Sequence, residues 1–508
     1  MIEGIRAIAF QPGSGILRPS LRYSLDAGNL VAKKGDAVEK KFMGPLFRLA
    51  LVALIALPSI AIVNAAPHYT IVDVVGLARA QNPEIAIARK KIQAARGGQL
   101  EARSGYLPSV VSGGFYRRGA TAQSSQLRPE DYNASLRVVE NLYTGGATSN
   151  QVAIARLTLA KQLDELQAVT DRVTMDVRLA FYELLLNREK IHVREQSVAV
   201  LREELKSQRE RLSAGLVGPL DASRAEVALA NEEPELVQAQ TDLRNSYLHL
   251  NDLCGIDGRS SGDRQFEAVG SLAYEPHHPT LNDTLARALI NRPEIKSAEK
   301  DVVIEEKQLE VDRSATRPQV EIFSGYQVYS ERDPNVGPAF NHGYVVGLNA
   351  SWPLFDGFAT RGRMQATRAR RDGAVLALKA VRLGIESEVR SAFLDLEQAD
   401  SVLQAQTKNV QTADESLAFA KSNLAAGLGT QLDILQAAAD VTRTRTTRLS
   451  AIYLHNAALA RLDRASGSES EALDREGRSS RTVEPNDAQS GEQIFRSARP
   501  PATPEKKK

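Results

Sequence analysis

Aromatic side chains are scarce in this sequence: they make up 5% of its 508 residues, and one Trp serves the whole chain. Ala, Leu, Arg, Glu and Gln are abundant instead, which is the composition of long helices and coiled coils rather than of an ordinary α/β core. Cysteine is scarcer still. Cys254 stands alone, so an intramolecular disulfide and a multi-thiolate metal site are both excluded. Near the end of an expected helix, it reads as a small buried hydrophobe. Charge of one sign is missing too, since the formal net charge is +2. That excludes the broad basic footprint of a general nucleic-acid binder. No Gly-x-x-x-x-Gly-Lys phosphate loop, no strand-to-helix nucleophile elbow and no His-Glu-x-x-His is present. Neither a cofactor nor an enzymatic activity is expected.

Long hydrophobic runs are also absent, with one exception at residues 46–63, LFRLALVALIALPSIAIV. The run contains Arg48 and Pro58 and ends in the small-residue site Val63-Asn64-Ala65, the pattern of a secretory signal cleaved before Ala66. A transmembrane helix is the competing reading. Met43 opens a signal peptide of ordinary length, leaving residues 1–42 as an upstream leader. No cysteine at the cleavage site offers a lipid anchor. Residues 1–65 are therefore expected to be leader and signal, and the chain to be exported.

What the sequence does have is a tandem repeat. Asn82-Pro83-Glu84-Ile85 returns as Arg292-Pro293-Glu294-Ile295, and Tyr106-Leu107-Pro108-Ser109-Val110 as Thr316-Arg317-Pro318-Gln319-Val320, both at a shift of 210. Leu142-Tyr143-Thr144-Gly145 matches Leu354-Phe355-Asp356-Gly357 at 212, and Phe181, Gly215, Asp221 and Gly255 match Phe393, Gly427, Asp433 and Gly467 at the same shift. Two copies of one unit are expected, 68–256 and 279–467, joined by a linker at 257–278. Residues 468–508, without apolar periodicity, are expected to be a disordered tail.

Each copy reads as helix, two strands, long helix, turn, helix. From Ala147 to Ala214 there is neither Pro nor Gly, which permits one helix of roughly 100 Å. Segments 70–105 and 219–254 are each about half as long and would match it if stacked end to end. Pro234 should kink the second of them unless it lies at a break. The long helix carries an apolar column Val177, Leu184, Ile191, Val198, Leu205, Leu212, echoed by Val389, Leu396, Leu403, Val410, Leu417, Leu424. A second column, Leu179, Leu186, Val193, Val200, lies about 200° around the helix. Opposed seams describe a stave in a wall, whereas a two-stranded coiled coil concentrates its seam on one stripe. In the second copy the opposite seam is weaker and is expected from small residues such as Ala392, Ala399 and Ala413.

Four segments alternate as strands. Tyr344, Val346, Leu348, Ala350, Trp352 and Leu354 share one face of 344–354, and Tyr132, Ala134, Leu136 and Val138 share the same phase in the first copy. Val320, Ile322, Tyr326 and Val328 stand opposite Glu321 and Gln327, and segment 110–117 is the weakest. Strands of this length with one apolar face and aromatic ends suit an outer-membrane barrel. A soluble sheet with one buried face is the plainer alternative, but nothing else in the chain would cover that face. Four strands cannot close a barrel, and lipid tolerates no open edge, so several chains must combine. Three would give twelve strands, and two are not excluded by the sequence.

Together, the duplicated Pro-Glu-Ile, the Pro before each strand pair, Leu-Phe-Asp-Gly at the strand-to-helix junction and the Gly-x-x-x-x-x-Asp turn resemble the TolC family of outer-membrane efflux proteins across residues 68–467. The resemblance implies a mainly α chain with membrane β-strands, assembled as a homotrimer into a twelve-stranded β-barrel continuous with a helical periplasmic barrel. It implies an exit duct for tripartite efflux pumps or type I secretion, embedded in outer-membrane lipid. Its partners would be a periplasmic adaptor and an inner-membrane ABC or proton-driven transporter. The alternative is a secreted coiled-coil interaction protein such as an adaptor, although adaptors carry one hairpin and no matched strand pairs. Too little of the chain is strand for a diffusion porin.

The family places adaptor docking and the narrow entrance at the hairpin tips, here Gly215, Leu216, Val217, Gly218 and Asp221 in the first copy. In the second they are Gly427, Leu428, Gly429, Thr430 and Asp433. Asp433 also completes a capping box with Thr430, and both Asp residues favour the helix N-terminal dipole, a purely structural role compatible with an acidic ring. Where familiar members carry a second acidic residue and a tip arginine, this chain has Gln436 and Gly429, so Asp433 is the surviving ring candidate.

Overall fold

The computed structural model describes residues 68–118, 130–256, 266–274, 276–277, 279–330 and 340–482; the expected leader and signal lie outside them. The first copy runs β1 (His68–Tyr69), α1 (Ile71–Gln81), α2 (Pro83–Ser104), β2 (Ser109–Arg118), β3 (Glu130–Tyr143), α3 (Ala147–Ser213) and α4 (Pro219–Cys254). The second runs β4 (Glu267–Ala268), α5 (Leu281–Asn291), α6 (Pro293–Ser314), β5 (Gln319–Ser330), β6 (Phe340–Ser351), α7 (Ala359–Ala425) and α8 (Gln431–Ser466), with α9 (Glu469–Thr482) after it. Among the described residues no helix is long and apolar enough to cross a membrane.

Both long helices have 67 residues. Segment 70–105 is not one helix but two, because Asn82-Pro83 ends α1 and starts α2. Pro83 takes the first helical position, where its missing N–H is no loss, and the Asn82 side chain accepts from Glu84 N at 2.8 Å and Ile85 N at 3.2 Å. The repeated Pro-Glu-Ile is thus a helix start whose Ile, Ile85 or Ile295, plugs the core. Pro234 sits inside an unbroken α4. It is exposed, so water can take the carbonyl it frees.

The long helices behave as staves. α3 packs along α2 and α4 on one flank and along α6 and α8 on the other, whereas α7, among the described residues, packs along α6 and α8 on one flank only. The short staves abut end to end. Asn82 Nδ2 donates to Leu253 O at 2.8 Å, and Arg292 Nη1 donates to Ala465 O at 3.2 Å. This explains the two seams of α3 and corrects one expectation for α7. Ala392 and Ala399 are buried in the same cluster as Val389 and Leu396, on the one packed flank, rather than forming an opposite seam.

The strands form one antiparallel sheet in the order β2-β3-β5-β6, so β3 pairing with β5 fuses the two copies. The core lies midway along the wall. There Val177, Phe181 and Leu184 of α3 meet Val74 and Val75 of α1, Leu250 of α4 and Phe266. Phe266 belongs to the stretch expected as a plain linker, and it packs on Tyr69 with ring centroids 5.2 Å apart. The tail beyond 467 likewise departs from expectation. It begins with α9, which buries Ala472 and Leu473. Cys254 is buried and unpaired in a disulfide, and burial pushes its thiol up to about 12, in line with a packing role.

Candidate functional site

Register sets the face of the sheet. Tyr344 stands beside Tyr326, Val346 beside Ser324 and Leu348 beside Ile322, while Leu136 stands beside Tyr326 and Val138 beside Val110. Pleating therefore puts Val110, Leu136, Val138, Ile322, Tyr326, Tyr344, Val346 and Leu348 on one side. All of these are exposed in the chain, with Tyr344 at 85%. Ala350 continues the row within β6. Trp352 falls just beyond the strand and is pinned at the sheet's foot, its indole Nε1 donating to Thr316 O at 3.0 Å. Asn133, Ser135, Arg137, Glu321, Gln327 and Asn349 alternate onto the other side. A bare apolar row of this area on a solvated sheet is a membrane or partner surface.

At the other end of the wall are two tips. Gly215 and Gly427 close α3 and α7 with φ of 71° and 74°, a left-handed conformation that only glycine takes without cost. Leu216 N donates to Arg211 O at 2.9 Å and Leu428 N to Asn423 O at 2.8 Å, the reversal bonds of a Schellman stop. Leu216 and Leu428 are left exposed, and Val217 is half-buried. In the second tip Thr430 N donates to Asp433 Oδ2 at 2.8 Å and Asp433 N donates to Thr430 Oγ1 at 3.4 Å, the capping box read from the spacing. These bonds from Thr430 hold the Asp433 carboxyl below the usual carboxylate range. The first tip has no such box, because Gly218 stands at the cap; Asp221 lies in the first turn of α4, 3.9 Å from Arg224.

Between the tips lies a cluster that sequence reasoning missed. Gln208 Nε2 of α3 donates to Gln431 Oε1 of α8 at 2.7 Å and to Glu204 Oε1 at 2.9 Å, and Gln431 Nε2 donates to Glu204 Oε1 at 2.6 Å. Gln208 and Gln431 are both buried. A polar residue three places after Leu205, on a seam that is otherwise apolar, was the available signal.

A second cluster was also missed. Arg178 of α3, 1% exposed, reaches Asp463 at 3.0 Å, Glu469 at 3.1 Å and Glu476 at 2.7 Å, and so clamps α9 onto the wall. Burial opposes the charge on Arg178, but Glu476, Tyr182, Glu469 and Asp463 together hold its pKa well above the usual value. Burial pushes Glu469 up to about 7 despite the pull of Arg178. Beside this cluster is a cavity of about 190 Å³ lined by Phe181, Tyr182, Leu185, His277 and Arg475 among others.

This arrangement, an apolar sheet at one end of a long helical wall and paired hairpin tips at the other, has known counterparts. The family of outer membrane efflux proteins matches residues 74–256 and 284–468, one stretch in each copy. The chain is 26% identical over 398 residues to protein CyaE of Bordetella pertussis, covering 77% of this chain and 83% of that one. It is 23% identical over 406 residues to the cobalt-zinc-cadmium resistance protein CzcC of Cupriavidus metallidurans, covering 80% and 91%. Of solved structures, the transmembrane channel CusC superposes with a TM-score of 0.67 at 17% identity, covering 78% of this chain and 92% of that one. The Campylobacter jejuni CmeC outer membrane channel superposes with a TM-score of 0.67 at 15% identity, covering 80% and 89%. Proteins of this family are trimeric channels that work with adaptors and inner-membrane pumps, and they are not enzymes. The chain belongs to the outer membrane efflux protein family and is an outer-membrane exit duct of efflux pumps.

Proposed function

We propose that this chain works as a homotrimer, a passive conduit without catalysis of its own, docked by a periplasmic adaptor at its hairpin tips. An inner-membrane ABC or proton-driven transporter supplies the energy. One observation carries the trimer: sheet and wall end on matching flanks. β2 follows α2 at one edge, β6 precedes α7 at the other, and among the described residues neither edge has a further neighbour. An open sheet edge in lipid leaves unpaired backbone groups, each costing several kcal/mol, roughly 2–7 by transfer scales. Pairing β6 of one protomer with β2 of the next removes both edges, and three protomers give the twelve strands of the family's barrel. The same step sets α7 beside α2 and α4 of the next protomer and closes the wall. Tyr344, Val346, Leu348 and Ala350 then face lipid, with Trp352 at the interface.

Adaptor docking at the tips is supported by exposed Leu216, Leu220, Leu428 and Leu432 around the two reversals. Asp433, already bonded to Thr430, faces the entrance as its acidic ring. The pump sets the cargo; relatives named for cobalt-zinc-cadmium resistance and for nodulation are similar in sequence over 80% and 73% of this chain.

The test separates assembly from docking. Outer-membrane fractions should yield a heat-resistant trimer by native mass measurement, and a monomeric periplasmic protein would sink the proposal. Proline cannot adopt the φ of 74° found at Gly427. Gly427→Pro should therefore abolish export and adaptor pull-down while trimers persist. Normal export by that variant would remove the docking assignment.

A further inference from the structure

Resting on the homotrimer proposed above, we infer that Phe358 is a knob for the neighbouring protomer, seated on the Ser104–Leu107 turn at the end of its α2. The reasoning starts from backbone strain. Among the described residues Phe358 is the one non-glycine residue with positive φ, at 67°, just before α7. Its counterpart in the first copy, 212 residues earlier, is Gly146, which takes φ of 91° freely. An aromatic residue in this conformation is strained. Phe358 is 64% exposed, and its ring touches that of Phe355, also exposed, edge-on at a centroid distance of 5.3 Å.

The first copy shows what covers this junction. There the Gly145-Gly146 turn lies under the end of α6. Arg317 Nη1 donates to Gly145 O at 2.8 Å, and a Cβ on Gly145 would meet Ser314 O at 2.7 Å and Arg317 Cβ at 2.9 Å. In the second copy the same turn is bare, since a Cβ on Gly357 would meet nothing within 4 Å. The repeat names the missing cover. Ser314 and Arg317 correspond, 210 residues earlier, to Ser104 and Leu107, which end α2 on the opposite open flank of the wall. In a closed ring, α2 of the next protomer stands beside α7 as α6 stands beside α3.

The residue types have changed together at this junction. Inside the chain a long cation lies over two glycines and hydrogen-bonds the turn. Between chains, Leu107 cannot donate, and Phe358 supplies apolar bulk instead. Leu107 is itself 64% exposed. In the closed ring the contact with Leu107 would offset the strain at Phe358.

Strain and contact predict opposite signs for Phe358→Gly. Relief of strain alone would leave the trimer as heat-resistant as the native one, or more so. Loss of an intersubunit knob should lower the temperature at which trimers dissociate in detergent by several degrees, and Leu107→Ala should do the same without adding to it. Leu107→Cys with Phe358→Cys should give covalent oligomers on a non-reducing gel after mild oxidation in membranes. Buried Cys254 offers no competing thiol. Trimers by native mass without cross-linking, together with an unweakened Phe358→Gly trimer, would overturn the knob and leave the trimer standing. The same result accompanied by shielding of a fluorophore at 358 by lipid would give the ring to the membrane interface instead. A monomeric native chain would overturn the homotrimer, and the knob with it.

Discussion

The two copies share a plan and differ in what they touch. Arg178 and Arg390 occupy the same place in α3 and α7, 212 residues apart. Arg178 is buried under three carboxylates, whereas Arg390 is exposed. Leu186 of α3 is buried, while Gln398 at the same position of α7 lies open. An inner stave is packed on both flanks and takes an apolar residue on each. An edge stave keeps polar residues such as Arg390 and Gln398 on its free flank. The difference shows that fold position, not ancestry, now decides the chemistry of each helix.

Removing the anchor should produce the largest contrast. Arg178→Ala leaves Glu469 buried without its cation, while Asp463 keeps Arg475 at 2.7 Å, a loss of about 3–5 kcal/mol. Arg390→Ala, at a solvated site, should stay within about 0.5 kcal/mol. Hydrogen exchange of the α9 amides in the detergent-solubilised protein reads both, and equal protection in the two variants would break the comparison.

Next comes pH. Glu469 is raised in the folded chain from 4.5 to about 7, so it binds its proton more tightly there than when α9 is released. Its contribution is fully present below the ordinary carboxylate value and is lost as pH rises through about 7. Docking of α9 should weaken by about 2 kcal/mol between pH 5.5 and pH 8. Glu469→Gln should flatten that slope, with protease cutting within α9 as the readout. An undiminished slope would assign the titration to another group.

The tips give the smallest effect. Thr430→Ala removes the second tip's capping box and should cost that hairpin about 1 kcal/mol. Gly218→Ser offers the first tip a cap it lacks and should gain a few tenths of a kcal/mol. Exchange protection in the first turns of α8 and α4 measures each, and matching responses would mean that the two tips are equivalent after all.

What the sequence made legible is local. Reversals at Gly215 and Gly427, stops at Gly255 and Gly467, and the phase of three of the four strands all follow from dihedral preference and alternation over a few residues. The capping box of Asp433 is of this kind. What escaped depends on residues far apart. α9 buries little beyond Ala472 and Leu473 and is held by Arg178, nearly three hundred residues away in the chain, so apolar periodicity could not reveal it. Phe266 hid in a polar stretch for the same reason. The Gln208–Gln431 pair was half visible, as a polar residue on an apolar seam whose partner the sequence did not name. The break at Asn82-Pro83 was visible as a repeated landmark but read as part of one helix, because the apolar pattern runs on across it.

The sheet contact between β3 and β5 carries one more consequence. A ring of six identical single units would have a single kind of seam, and every substitution would appear there six times over. Fusing the units in pairs makes the seams alternate. One kind is tied by peptide bonds and forms as a chain folds, at no cost in concentration. The other, in the proposed trimer, must be found by one chain meeting another. The first is held by the β3–β5 ladder, with Arg317 over a glycine turn beside it. The second has to bring its own recognition, and selection can adjust its strength without disturbing the interior of any subunit.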